Sequence, residues 1–204
     1  WFTTREIVTK LYLKYLNENE YIKQLHDLIF SEKFFNFFYS QLYLKFLMSR
    51  KNSFKHILKL LRKPKIVKKI DKSNLSYYLN LKTEMRIEMQ FSFIKNNGKI
   101  VPHTDSGEKL LSMMLYFPQY EKDKKFYEVE KKYGTVFWKS DCKNFNNKHQ
   151  DGNDEKIFLV NTSNEVIYKS EFVGNKLFGF IKNPYSWHSV DPVNVQENYI
   201  RRSI

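Results

Sequence analysis

The strongest constraint on how this chain can fold is a change in hydrophobic period partway along it. From Thr3 to about Lys63 apolar residues recur at spacings of three and four, as in Phe35, Phe38, Leu42 and Phe46, and again in Phe54, Ile57, Leu58 and Leu61. That spacing lines one face of a helix. Pro64 closes the pattern, since proline lacks the N–H a helix interior needs. From about Leu75 the repeat shortens to two: Met85, Ile87, Met89, Phe91 and Phe93 alternate with Arg86, Glu88, Gln90 and Ser92, predicting a strand with an apolar and a polar face. Asn96-Asn97-Gly98 supplies a turn.

Further strands are predicted in LLSMMLYF (Leu110 to Phe117), GTVFW (Gly134 to Trp138), KIFLVN (Lys156 to Asn161), EVIYKS (Glu165 to Ser170), KLFGFI (Lys176 to Ile181) and the terminal NYIRRSI. Many short strands separated by turn residues suggest a sandwich or barrel, an α+β protein with its helices first. The expected organisation is a helical support region over residues 1–74 and a β core over 75–204, one structural domain together. Two polar stretches, QYEKDKKFYEVEKKY and KSDCKNFNNKHQDGNDEK, interrupt the β region. They are long for hairpin loops, which makes them candidate lids or disordered insertions near a site mouth.

The 204 residues include 42% hydrophobic and 17% aromatic side chains, enough for a substantial core. Thirty-five Lys and Arg against 22 Asp and Glu give a net charge of +13. That field makes anionic partners plausible: nucleic acid, acidic lipid or carboxylate substrates. The basic run from Lys55 to Lys72 is the segment a nucleic-acid-binding protein would use; the bland alternative is a solvated linker in a lysine-rich chain. Cys142 is the only cysteine, so no intrachain disulfide can form and a reducing, cytoplasmic setting is expected. No apolar run approaches the ~20 residues of a membrane span. The richest, FFNFFYSQLYLKFLM, is broken by Asn36, Ser40, Gln41 and Lys45 and predicts a buried helix.

Of the five histidines, His26 and His56 lie in helical patterns and His149 in a polar loop. His103 and His188 each sit at the edge of a predicted strand. In an extended chain residues two apart face the same side, so His103 and Asp105 can present an imidazole and a carboxylate to one ion. A distant second imidazole, His188, would complete a two-histidine, one-carboxylate facial triad, the donor set of non-haem Fe(II) chemistry. Taken alone, His-x-Asp is more often a polar turn before a strand. The terminal strand NYIRRSI places Arg201 and Ser203 on one face and Arg202 on the other, a guanidinium fork beside a hydroxyl that suits a carboxylate. Cys142 and His149 are too few for a structural zinc site, which takes four ligands.

The ordered set His103, Asp105, His188, Arg201 and Ser203 resembles the pattern of the Fe(II)- and 2-oxoglutarate-dependent oxygenases. The stretches HTDSGEKLLSMMLYFP and FIKNPYSWHSVDPV look like the two metal-bearing strands of their prolyl-hydroxylase-like branch. The similarity covers roughly Leu81 to Ile204. It implies a double-stranded β-helix, a distorted jelly roll, with N-terminal helices packed on its larger sheet. It also implies iron held by His103, Asp105 and His188, and 2-oxoglutarate bound through its C5 carboxylate by Arg201 and Ser203, with Tyr116 as a cosubstrate-binding tyrosine or an ordinary core aromatic. The implied activity is that of a dioxygenase using O2, a hydroxylase acting on a small molecule or protein side chain, an acidic one if the lysine-rich loops contribute. By the same resemblance, a carboxylate at Asp105 implies hydroxylation over halogenation and leaves desaturation or another oxidation open. The interval from His188 to Arg201 is slightly long for the family, which keeps Arg202 as an alternative to Arg201. A nucleobase-modifying enzyme and a noncatalytic jelly-roll protein are the other readings.

Overall fold

The computed structural model describes residues 12–49, 65–67, 84–107, 109–120, 122–143, 153–160 and 163–204. They fall into two compact units, Trp1–Ile87 and Glu88–Ile204.

In the first unit residues 12–18 are helical, followed by α1 (Glu20–Ile29) and α2 (Glu32–Ser49). Asn19 caps α1, its side-chain oxygen accepting the Ile22 N–H at 3.1 Å, and the acid Glu20 sits where the helix dipole favours negative charge. Ser31 links the two helices: its hydroxyl accepts from Phe34 N–H at 3.1 Å and donates to the Leu28 carbonyl at 2.7 Å. Lys65–Ile66 pairs in parallel with Glu84–Met85. The expected helix over Phe54 to Lys63 lies outside the described residues, as does all of the Lys55 to Lys72 segment except residues 65–67. Among the described residues no helix is long and apolar enough to cross a membrane.

Among its described residues the second unit holds eight strands and two helices: β1 (Ser92–Lys95), β2 (Ile100–His103), β3 (Leu111–Phe117), α3 (Lys124–Glu130), β4 (Val136–Lys139), α4 (Asn153–Val160), β5 (Glu165–Lys169), β6 (Leu177–Ile181), β7 (Trp187–Val190) and β8 (Ile200–Ser203). They form two four-stranded sheets, ordered β1-β8-β3-β6 and β2-β7-β4-β5. Every pairing within them is antiparallel. The chain steps between sheets at the Asn96-Asn97-Gly98 turn, where Asn97 takes φ 64°, a left-handed conformation asparagine tolerates. Gly98 has no room for a side chain there, since a Cβ would stand 2.8 Å from Ile94 Cγ2.

Ile94, Val190, Val193 and Tyr199 form a buried cluster. Elsewhere in this unit Trp187, Phe172 and Tyr116 are at most 1% exposed. Helix α3 starts at Asp123, whose carboxylate accepts from Lys125 and Phe126 N–H, and ends at the fully buried Glu130. That carboxylate accepts from Gln119 N–H at 2.7 Å, Tyr120 N–H at 2.9 Å and the Tyr199 hydroxyl at 2.6 Å.

The structure departs from the sequence expectations in four places. The helix of FFNFFYSQLYLKFLM is not buried as a whole: Phe46 is 2% exposed, but Phe37, Leu44 and Met48 are 59%, 70% and 71% exposed. KIFLV, residues 156–160 of KIFLVN, belongs to helix α4, not to a strand. A short apolar run does not by itself distinguish a buried strand from one side of a helix; here Phe158 turns inward against Trp138 and Trp187, each at 5.3 Å between ring centres, while Leu159 and Val160 face outward. The alternating run around Met85 to Phe93 is not one strand: residues 86–91 have no regular structure, and in β1 Ile94 is the buried residue while Phe93 is 65% exposed. A one-residue change of register exchanges the faces of a strand. Finally, QYEKDKKFYEVEKKY carries helix α3, whose last residue Glu130 is bonded to Gln119, Tyr120 and Tyr199. Residues 144–152 of the other polar stretch lie outside the described residues.

Candidate metal centre

The extended run Ile100–His103 ends beside the middle of the second sheet, where β2 pairs with β7 and His103 lies opposite His188. His188 in turn lies opposite Phe137 of β4. The two imidazoles come together at 4.2 Å between ring centres. Asp105, two residues beyond His103, completes the group: one ligand atom from each of His103, Asp105 and His188 lies within 4.8 Å of the others.

Hydrogen bonding sets which ring nitrogens can ligate. His103 Nδ1 lies 2.9 Å from the Val101 carbonyl and His188 Nδ1 lies 3.0 Å from the Ser186 carbonyl. A carbonyl only accepts, so each Nδ1 carries a proton, and in the neutral ring it is Nε2 that keeps the lone pair. Backbone carbonyls holding the second nitrogen of a histidine are the usual outer support of metal-binding imidazoles. Asp105 is 6% exposed. Its Oδ1 accepts from Lys109 Nζ at 2.8 Å and its Oδ2 accepts a short hydrogen bond from Ser112 Oγ. Burial alone would raise the Asp105 pKa, but the His188 ring, the hydrogen bonds from Lys109 and Ser112, and the lysine charge outweigh it and hold the carboxyl down to about 2. Burial, reinforced by the His103 ring, pushes His188 down to about 3 against the pull of Asp105 and the Ser186 carbonyl. At neutral pH the site therefore offers a neutral His188 ring and an ionised Asp105, the protonation states a metal requires. Two imidazole nitrogens and one carboxylate oxygen form a donor set that could hold a divalent ion.

Aromatic rings enclose His188: Phe180 at 4.6 Å and Phe137 stacked at 5.9 Å, with Phe178 5.3 Å from Phe137. Thr104, between the two ligands of the His-x-Asp, is 1% exposed, and its hydroxyl has no hydrogen-bond partner among the described residues.

The second constellation is on β8. Arg201 and Ser203 are 2% and 7% exposed and share a face, Arg201 Nη1 donating to Ser203 Oγ at 3.3 Å, while Arg202 is half-buried on the other side. Arg201 Nε donates to the Tyr133 carbonyl at 2.7 Å. The guanidinium lies over the rings of Phe172 at 4.8 Å and Tyr116 at 5.3 Å. Burial pushes its pKa down, and among the described residues no carboxylate pairs with it. A buried cation held by a hydroxyl, a carbonyl and two ring faces retains donors suited to an anion. Tyr116 is 1% exposed, with its hydroxyl bonded to Thr135 Oγ1 at 2.9 Å and Ser170 Oγ at 2.8 Å.

His26 is on α1, its ring 4.5 Å from Phe30 and its Nδ1 3.2 Å from Asp27. His56 and His149 lie outside the described residues. Sequence reasoning did not single out Lys109, Ser112, Thr135, Ser170 or Phe172. The four-residue spacing of Asp105 and Lys109 was a usable signal for one of them; Phe172 and the Thr135–Ser170 pair meet Arg201 and Tyr116 only through the fold. A shallow cleft lined by Trp138, Ser140, Asp141, Ile167 and Tyr185 is separate from the histidine pair. Strand alternation turns Trp138 away from the face on which its neighbour Phe137 meets His188. Comparison with protein-family models, curated proteins and solved structures finds no match for this chain.

Proposed function

We propose that the Glu88–Ile204 unit is a non-haem Fe(II)- and 2-oxoglutarate-dependent dioxygenase that hydroxylates an unactivated C–H bond of a small metabolite or a protein side chain. The observation that carries this reading is the convergence of His103, Asp105 and His188 within 4.8 Å, with both histidine Nδ1 atoms turned to backbone carbonyls. The strand order supports it: eight antiparallel strands whose successive members alternate between two sheets, except at β4 and β5, are connected as in a jelly roll. On this reading the scaffold is a double-stranded β-helix.

His103, Asp105 and His188 would hold Fe(II), with 2-oxoglutarate and O2 as co-reactants. Bound together, these supply oxidative decarboxylation to succinate and CO2 coupled to hydroxylation. The residues of the chain do the positioning. Val101 and Ser186 carbonyls fix the imidazole tautomers, Ser112 orients the Asp105 carboxylate, and Phe137 and Phe180 keep water from the His188 side. Arg201, with Ser203, receives the C5 carboxylate of 2-oxoglutarate, and the Tyr116 hydroxyl lies on the same side of the β8–β3 pair.

The test is succinate formation from 2-oxoglutarate by the Fe(II)-loaded protein, without and with pooled metabolites or peptides, against His103→Ala. Activity lost in that variant, together with the weak visible absorption of an anaerobic Fe(II)–2-oxoglutarate chelate in the wild type, is the expected result. A folded wild-type protein giving neither signal would leave a noncatalytic β protein.

A further inference from the structure

The Asp105 carboxylate already has a cationic partner. Lys109 Nζ sits 2.8 Å from Oδ1, four residues further along the chain. It is brought back over the aspartate by a turn closed by the Lys109 N–H to Ser106 carbonyl hydrogen bond at 3.0 Å. The two partners differ sharply in exposure: the Asp105 side chain is 8% exposed and that of Lys109 37%. A buried carboxylate needs a positive charge beside it, because leaving it alone in a low-dielectric site is costly. Lys109 lies on the solvent side of the pair, and its stem is long and flexible.

We propose that Lys109 is a displaceable cation that holds the Asp105 carboxylate in place in the metal-free protein and competes with the metal for it. The inference rests on His103, Asp105 and His188 being a metal site. Two physical effects give it direction. The ammonium takes up negative charge that would otherwise attract the ion, through a charge-assisted hydrogen bond of the stronger class. It also places a positive charge beside the position a divalent cation must enter, where like charges repel. Ser112 holds Oδ2 without adding charge, so the carboxylate keeps its orientation when the lysine leaves. Lys109 thus lowers metal affinity, making loading reversible, while preventing an unpaired buried carboxylate from distorting the empty ligand set.

The experiment is anaerobic calorimetric titration of Fe(II) into the full chain, comparing wild type with Lys109→Met and Lys109→Arg, each first checked for folding by thermal denaturation. Lys109→Met keeps the stem and removes the charge; binding should tighten by about 10- to 100-fold, the equivalent of one charge-assisted hydrogen bond. Lys109→Arg restores the charge and should return affinity toward the wild-type value. Detectable Fe(II) binding only in Lys109→Met would support the competition in its extreme form. Equal or weaker binding by Lys109→Met, or binding by Lys109→Arg as tight as by Lys109→Met, would overturn the role of Lys109 while leaving the metal site standing. Absence of binding in all three proteins would remove the metal reading and this inference with it.

Discussion

At the residue scale the site is governed by what burial does to charge. His188 is 8% exposed and its pKa is pushed down to about 3, whereas in the unfolded chain it titrates near 6.5. The neutral ring's contribution to stability is therefore complete above about 6.5 and is lost as pH falls toward about 3, because the unfolded chain takes up a proton that the folded one refuses. Asp105 acts in the same direction at lower pH, its contribution lost as pH falls from about 4 toward about 2. The metal-free protein should thus lose stability between pH 6.5 and 4, and His188→Gln should flatten that slope in melting temperatures recorded across the range. Arg201 makes a separate prediction. Its fork is held by the Tyr133 carbonyl and Ser203 over two aromatic faces, and a lysine reproduces neither the fork nor the stacking. Arg201→Lys should weaken 2-oxoglutarate binding about tenfold or more, measured by titration, whereas Arg202→Ala, on the opposite face of β8, should leave it near wild type.

At the element scale, the second sheet depends on one close approach between neighbouring chain segments. Gly134, just before β4, has Ser170 so near that a Cβ would stand 1.9 Å from the Ser170 carbonyl oxygen and 2.6 Å from its hydroxyl. The same segments exchange bonds, Ser170 N–H to the Thr135 carbonyl at 2.9 Å and Thr135 N–H to Ser170 Oγ at 2.8 Å. Gly134→Ala must push the two backbones apart and should cost about 3 kcal/mol, the upper end of overpacking, in urea denaturation. Because Ser170 also holds the Tyr116 hydroxyl, the same change should disturb the Arg201 side of the unit. Helix α3 shows why polar residues need not mean a mobile loop: one glutamate, Glu130, satisfies two backbone N–H groups and a tyrosine hydroxyl that burial would otherwise leave unpaired.

At the scale of the whole molecule, ligand atoms separated by more than eighty residues are brought together by the pairing of β2 with β7. If the proposed site holds a metal, its binding would be linked to folding of the unit, since the unfolded chain has no preformed site. Fe(II) with 2-oxoglutarate, added anaerobically, should raise the melting temperature, with the shift growing with concentration, being reversed by a chelator, and being absent in Asp105→Ala, which lacks one of the three ligands. Thermal scans with and without the additions measure this directly.

Local chemistry made part of this legible in the sequence. The placement of Arg201 and Ser203 on one face follows from the two-residue repeat of an extended chain, the Asn-Asn-Gly turn from its turn residues, and strands β3, β5, β6 and β8 fall within LLSMMLYF, EVIYKS, KLFGFI and NYIRRSI, short runs set off by turn residues. The His-x-Asp spacing and the later histidine named the candidate ligands for the same reason. Other features needed the folded chain. Whether Ile157 to Val160 turned inward as strand or helix, and which face of β1 was buried, depended on neighbours remote in sequence: Trp138 and Trp187 for Phe158, and Val190, Val193 and Tyr199 for Ile94. A residue's backbone preference is carried by its own side chain and its nearest neighbours. Which partner it packs against, and hence its burial, its charge state and whether it can join a site, is decided only when the sheets assemble.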